Sequence, residues 1–142
     1  MKKVLSLIIA LVLCLSFVAC GEVGEEPQEP KNNPVIEAYI AKNKEALLSS
    51  MEASFATSAG MTCKSDVEVD GDGFIITIKI DQLENVEDSV KEQLQTAYDG
   101  MSATFEQSLK TMQTELKELE YYQVNVCDKN GDVLATITAG NK

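Results

Sequence analysis

Hydrophobic and polar positions alternate along this chain with two different periods. Val35, Ile36, Tyr39, Ile40, Leu47, Leu48, Met51 and Phe55 recur every three or four residues, as one face of a helix requires. Lys42, Lys44, Glu45 and Glu52 fall mainly off that stripe, and Gly60 closes the segment. From Met61 the period drops to two: Met61, Cys63, Ser65, Val67 and Val69 alternate with charged or polar neighbours, the signature of a half-buried strand. Asp70, Gly71, Asp72 and Gly73 supply turn chemistry, and Phe74, Ile76, Ile78 and Ile80 then alternate with Ile75, Thr77, Lys79 and Asp81. This is the pattern of a β-hairpin. A second helical stripe runs from Val86 to Glu120 through Val90, Leu94, Tyr98, Met101, Phe105, Leu109, Met112, Leu116 and Leu119. Unbroken, it would be roughly 50 Å long at about 1.5 Å per residue, so a kink or short break is expected at Asp99 and Gly100. Tyr122, Val124 and Val126, the turn residues Asp128 to Gly131, and Val133, Ala135 and Ile137 form a second hairpin.

The expected fold class is α+β, in the order helix, hairpin, helix, hairpin (αββαββ), with a four-stranded antiparallel sheet covered on one face by helices. Both halves read helix, strand, turn, strand, which an internal duplication explains; shared hairpin physics explains it equally. Phe74, Ile75 and Ile76 are consecutive, so Ile75 falls on the face opposite its neighbours. Together with Tyr121 and Leu134 it is expected to form an exposed apolar strip, the first candidate for a partner surface. Alternation also separates the two cysteines of this domain. Cys63 shares a parity with Val67 and Val69, Cys127 with Gln123 and Asn125. Parity predicts two thiols; a bulge near either turn would reverse it and permit a bridge.

The first twenty residues differ in kind. Lys2 and Lys3 precede an apolar run from Val4 to Val18, the n-region and h-region of an export signal. That run is shorter than the roughly 20 residues a membrane span needs. It ends in Phe17, Val18, Ala19, Cys20 and Gly21, which resembles the lipobox of bacterial lipoproteins, with Phe17 where Leu is common. The resemblance implies removal of residues 1–19 and lipid on Cys20, which becomes the anchor to the membrane; more than one acyl chain makes such anchoring stable. The alternative is an ordinary secretory signal with Cys20 incidental. Residues 20–34 then form an acidic, proline-containing tether, too polar to pack a core, and residues 35–142 a single domain.

Composition narrows the chemistry. All 23 carboxylates lie beyond Cys20, facing ten of the 12 lysines, and the chain has no histidine or tryptophan. Such a surface repels nucleic acid. Without histidine, Ser/His or Cys/His nucleophilic catalysis loses its usual base and common zinc sites lose a ligand. Asp70 and Asp72 in one turn and Asp128, Asn130 and Asp132 in the other faintly suggest cation loops. Neither completes the calcium pattern, and turn formation accounts for them. No catalytic residue, metal ligand or cofactor is therefore assigned. Taken together, the signal, the spacer, Ile36 to Ile40, Val67 to Ile80 and Val124 to Ile137 resemble an uncharacterised family of small Gram-positive lipoproteins sharing a domain of unknown function. The expectation is a membrane-anchored, non-enzymatic module on the extracytoplasmic face, meeting an envelope protein or ligand. A carboxylate-dependent envelope hydrolase and a structural or inhibitory lipoprotein are the alternatives.

Overall fold

A computed structural model describes residues 32–142; the export segment, the lipidation candidate Cys20 and most of the tether lie outside the described residues. Helix α1 spans Pro34–Ala59. Its start is fixed by Asn33, whose side-chain oxygen accepts the Val35 N–H at 3.1 Å, and by proline at the first helical position. Its end is fixed by Gly60 in the left-handed conformation (φ 61°), where a glycine cap costs least. Ile36, Tyr39, Ile40, Leu47, Met51 and Phe55 are all buried, so the helical stripe is the packed face.

Strands β1 (Cys63–Asp70) and β2 (Gly73–Ile80) form the first hairpin, with Asp70 opposite Gly73 and Cys63 opposite Ile80. Helices α2 (Asp88–Asp99) and α3 (Ser102–Gln113) follow, then β3 (Tyr121–Cys127) and β4 (Val133–Gly140). The long helical stripe is thus interrupted where Asp99 and Gly100 stand. Gly100 itself keeps helical angles; Met101 (φ −103°, ψ 4°) leaves them, and its N–H turns back to the Tyr98 carbonyl at 2.9 Å. The helix also stops seven residues short of Glu120. Leu116 and Leu119 are buried from turns rather than from a helix, because apolar spacing reports burial and not backbone hydrogen bonding.

The sheet order is β1-β2-β3-β4. Both hairpins are antiparallel, but β2 and β3 run parallel, with Gly73 beside Tyr121 and Lys79 beside Cys127. This corrects the expectation of an all-antiparallel sheet. A tight turn can only reverse the chain, whereas a two-helix crossover can return it to the end from which β2 began. The Glu120 N–H bonds to the Asp72 carbonyl at 2.8 Å, which sets that return point beside the first hairpin's turn.

One parity of β2, β3 and β4 is apolar throughout. Phe74, Ile76, Ile78 and Ile80 of β2, Tyr122, Val124 and Val126 of β3, and Ala135, Ile137 and Ala139 of β4 share one buried cluster with residues of all three helices. Phe105 of α3 stacks on Tyr122 at 6.0 Å between ring centroids, and the Tyr122 hydroxyl donates to the Phe105 carbonyl. None of the helices among the described residues is long and apolar enough to cross a membrane.

Candidate interaction surface

The other parity forms a face ruled by register into four rows, each crossing the strands from β1 to β4. They read Asp70-Gly73-Tyr121-Gly140, Glu68-Ile75-Gln123-Thr138, Asp66-Thr77-Asn125-Thr136 and Lys64-Lys79-Cys127-Val133. In the two central rows Asp66 and Glu68 are exposed, and Ile75, Thr77, Gln123, Asn125, Thr136 and Thr138 are half-buried. Here Asn125 is the hub: its side-chain oxygen accepts from Gln123 Nε2 at 2.8 Å and from Thr136 Oγ1 at 3.0 Å. Three side chains are thereby fixed in a polar stripe with Ile75 beside it.

Of the apolar strip expected from sequence, only Ile75 presents itself. Leu134 is buried in the core cluster (5% exposed). The cause is a register shift between Val126 and Cys127, which pairs Val126 with Ala135 and Cys127 with Val133 and leaves Leu134 as the extra residue. Val133, on the other side of that bulge, is exposed instead. Tyr121 does lie on the outer parity, yet it is buried. Its ring occupies the space over Gly73, where an added Cβ would stand 2.5 Å from Tyr121 Cε1.

Around Tyr121 a tight polar cluster closes one end of the face. Its hydroxyl donates to the Asp70 carboxylate at 2.6 Å and to the Asp70 carbonyl at 2.8 Å. Lys142 Nζ sits 2.9 Å from the same carboxylate and 5.5 Å from the Tyr121 ring centroid. The Tyr121 hydroxyl, then Lys142, hold Asp70 below the ordinary carboxylate range. Burial, reinforced by Asp70, pushes the Tyr121 phenol upward. These contacts clasp the end of β1 to the start of β3 and to Lys142.

The acidic turns are likewise occupied by the chain itself. Asp72 accepts from Asn33 Nδ2 at 2.9 Å, tying the first hairpin to the start of α1. Asp128 is buried, and its carboxylate accepts the Asn130 and Asp132 N–H groups at 2.9 and 3.0 Å. Asp128 thus makes its own turn's bonds, whereas Asp70 and Asp72 bond residues distant in sequence; among the described residues no group of three or more His, Cys, Asp or Glu side chains is placed to hold a metal ion.

Both sheet edges are engaged by side chains, which sequence reading missed. On β1, Glu52 accepts the Ser65 N–H at 2.8 Å, Lys44 donates to the Val67 carbonyl at 3.3 Å, and Asp66 accepts the Val67 N–H at 2.9 Å. On β4, Gln95 both accepts the Thr136 N–H (2.9 Å) and donates to the Thr136 carbonyl (2.8 Å), and Glu106 accepts the Gly140 N–H at 2.9 Å. Sequence carried only a faint signal for this: long polar residues on helix flanks read as solvated.

Cys63 and Cys127 are both buried thiols. Cys63 stands opposite Ile80 and Cys127 beside Lys79, so β2 lies between them and they belong to opposite faces. Burial raises the Cys127 thiol further above its ordinary value. No curated protein and no solved structure matches the chain. A family model described as "Domain of unknown function (DUF4854)" matches residues 36–139, from the first turn of α1 to the last strand, and the chain therefore belongs to the DUF4854 family.

Proposed function

We propose that the protein is a lipid-anchored, extracytoplasmic binding module, held to the membrane through Cys20 and meeting an envelope protein or ligand with the sheet face that its helices leave uncovered. The observation that carries this reading is the pair of central rows. Thr77, Gln123, Asn125, Thr136 and Thr138 are half-buried polar side chains on strands, of which Gln123 and Thr136 are tied to the Asn125 oxygen, with Ile75 as an apolar contact among them. Strands hold such groups more firmly than loops do, which lowers the ordering cost of a contact. The edges, by contrast, already have backbone groups occupied. Membrane attachment, removal of residues 1–19 and the acidic spacer that follows belong to the same reading, on the strength of the Ala19-Cys20 junction and the composition after it.

Two experiments test the two halves of this proposal. Labelled fatty acid should enter the wild-type chain and be absent from Cys20→Ala; equal labelling of the variant refutes the anchor. Crosslinking in intact envelopes followed by capture should recover a partner with the wild type and lose it with a Thr77→Arg, Asn125→Arg double variant of unchanged circular dichroism. Full retention by that variant refutes the face.

A further inference from the structure

At each edge of the sheet a long side chain from a helix reaches the outward backbone of the terminal strand. Gln95 does this most completely. A strand neighbour would offer Thr136 one carbonyl and one N–H; the Gln95 carboxamide offers the same pair from one side chain, at 2.9 and 2.8 Å. Its nitrogen also donates to Asp99 at 2.8 Å, one turn along α2, which holds the carboxamide in place. Four residues further along β4, Glu106 takes the Gly140 N–H. Glu52 and Lys44 play matching parts on β1, at Ser65 and Val67. The same arrangement has thus arisen on two unrelated edges, from three different helices.

Edge strands are templates for pairing with another chain, because their outward N–H and C=O groups need partners. The β4 edge is suited to pairing with itself: two copies related by a twofold axis, antiparallel, would present identical backbones to one another. We propose that Gln95 is an edge guard. By filling the donor and acceptor of Thr136 it prevents a second copy of this chain from adding to the sheet through β4. The outward N–H and C=O of Thr138, at the same parity, have no side-chain partner among the described residues, so the guard at Thr136 and the bond at Gly140 bracket a gap of one residue. That gap is too short to seat a strand while both remain in place.

The full chain, purified in detergent, supplies the test. Sedimentation should give a monomer for the wild type across a wide concentration range, and a concentration-dependent dimer for Gln95→Ala. Hydrogen exchange on the wild type gives a second readout that does not depend on any variant folding. The Thr136 amide should exchange about tenfold more slowly than that of Thr138, as one net hydrogen bond implies. A folded Gln95→Ala that stays monomeric at every concentration, or equal exchange at Thr136 and Thr138, overturns the proposal.

Discussion

Two buried tyrosines on facing elements show how one hydroxyl changes sign with its surroundings. Tyr122 donates to the Phe105 carbonyl at 3.1 Å, whereas the Tyr98 hydroxyl, equally buried, meets no hydrogen-bond partner among the described residues. Removing a satisfied buried hydroxyl loses a net hydrogen bond; removing an orphaned one relieves a desolvation cost. Urea titration of Tyr122→Phe should therefore show a loss of about 1 kcal/mol, and Tyr98→Phe no loss, with a gain of up to about 1 kcal/mol. A comparable loss in both would contradict the difference between the sites. The clasp at Asp70 makes a pH prediction. Its folded-state value is depressed by the Tyr121 hydroxyl and Lys142, so its contribution is present above the unfolded value of 3.8 and is lost as pH falls through the lower folded value. Asp66 acts in the same direction through Lys44 and the Val67 N–H. Asp70→Asn should lower the urea midpoint near neutral pH and make its acid decline shallower than the wild type's. Parallel acid limbs would show that Asp70 contributes nothing to them.

Elements were legible where local chemistry decides them. The stripe from Ile36 to Phe55 is helical because its apolar spacing agrees with the Asn33 cap and the Gly60 terminator. Both hairpins follow from alternation around Gly-containing turns. What failed was parity past a bulge: Leu134 is the extra residue of β4 opposite the step from Val126 to Cys127, and it lies in the core rather than in the expected surface strip. Nothing in the apolar pattern marks a bulge there, since Val133, Leu134 and Ala135 read alike on either parity. The pairing of Gly73 with Tyr121 also reaches beyond local pattern. A Cβ on Gly73 would meet the Tyr121 ring and the Tyr121 carbonyl oxygen, the latter at 2.6 Å, and backbone yields less readily than a side chain. Gly73→Ala should cost about 2 kcal/mol in a denaturant titration. A variant as stable as the wild type would mean that the β2 and β3 starts are not held at this spacing.

For the whole molecule, the parallel junction between β2 and β3 fixes the relation of the two cysteines. With one strand between them, Cys63 and Cys127 lie about 10 Å apart across the sheet, and on opposite faces. A disulfide needs its Cβ atoms within about 4 Å. Mass spectrometry of the denatured, non-reduced chain should find both residues alkylatable, and a peptide crosslinking Cys63 to Cys127 would show the register to be wrong. This outcome was readable from alternation, because β-strand parity is a property of each strand alone. So were the helix end at Gly60, the break around Asp99 and Gly100 and the α+β class, whereas the Asn33 cap and Pro34 start of α1 fell within the expected tether. Strand direction, the burial of Tyr121 and Leu134, and the side chains that close both edges were not. Each depends on which distant segments meet: Tyr121 on Gly73 and Asp70, Leu134 on a shift against β3, Gln95 on Thr136 across 41 residues. Periodicity encodes which side of a segment is apolar, while the partner that covers that side is chosen only when the chain closes on itself.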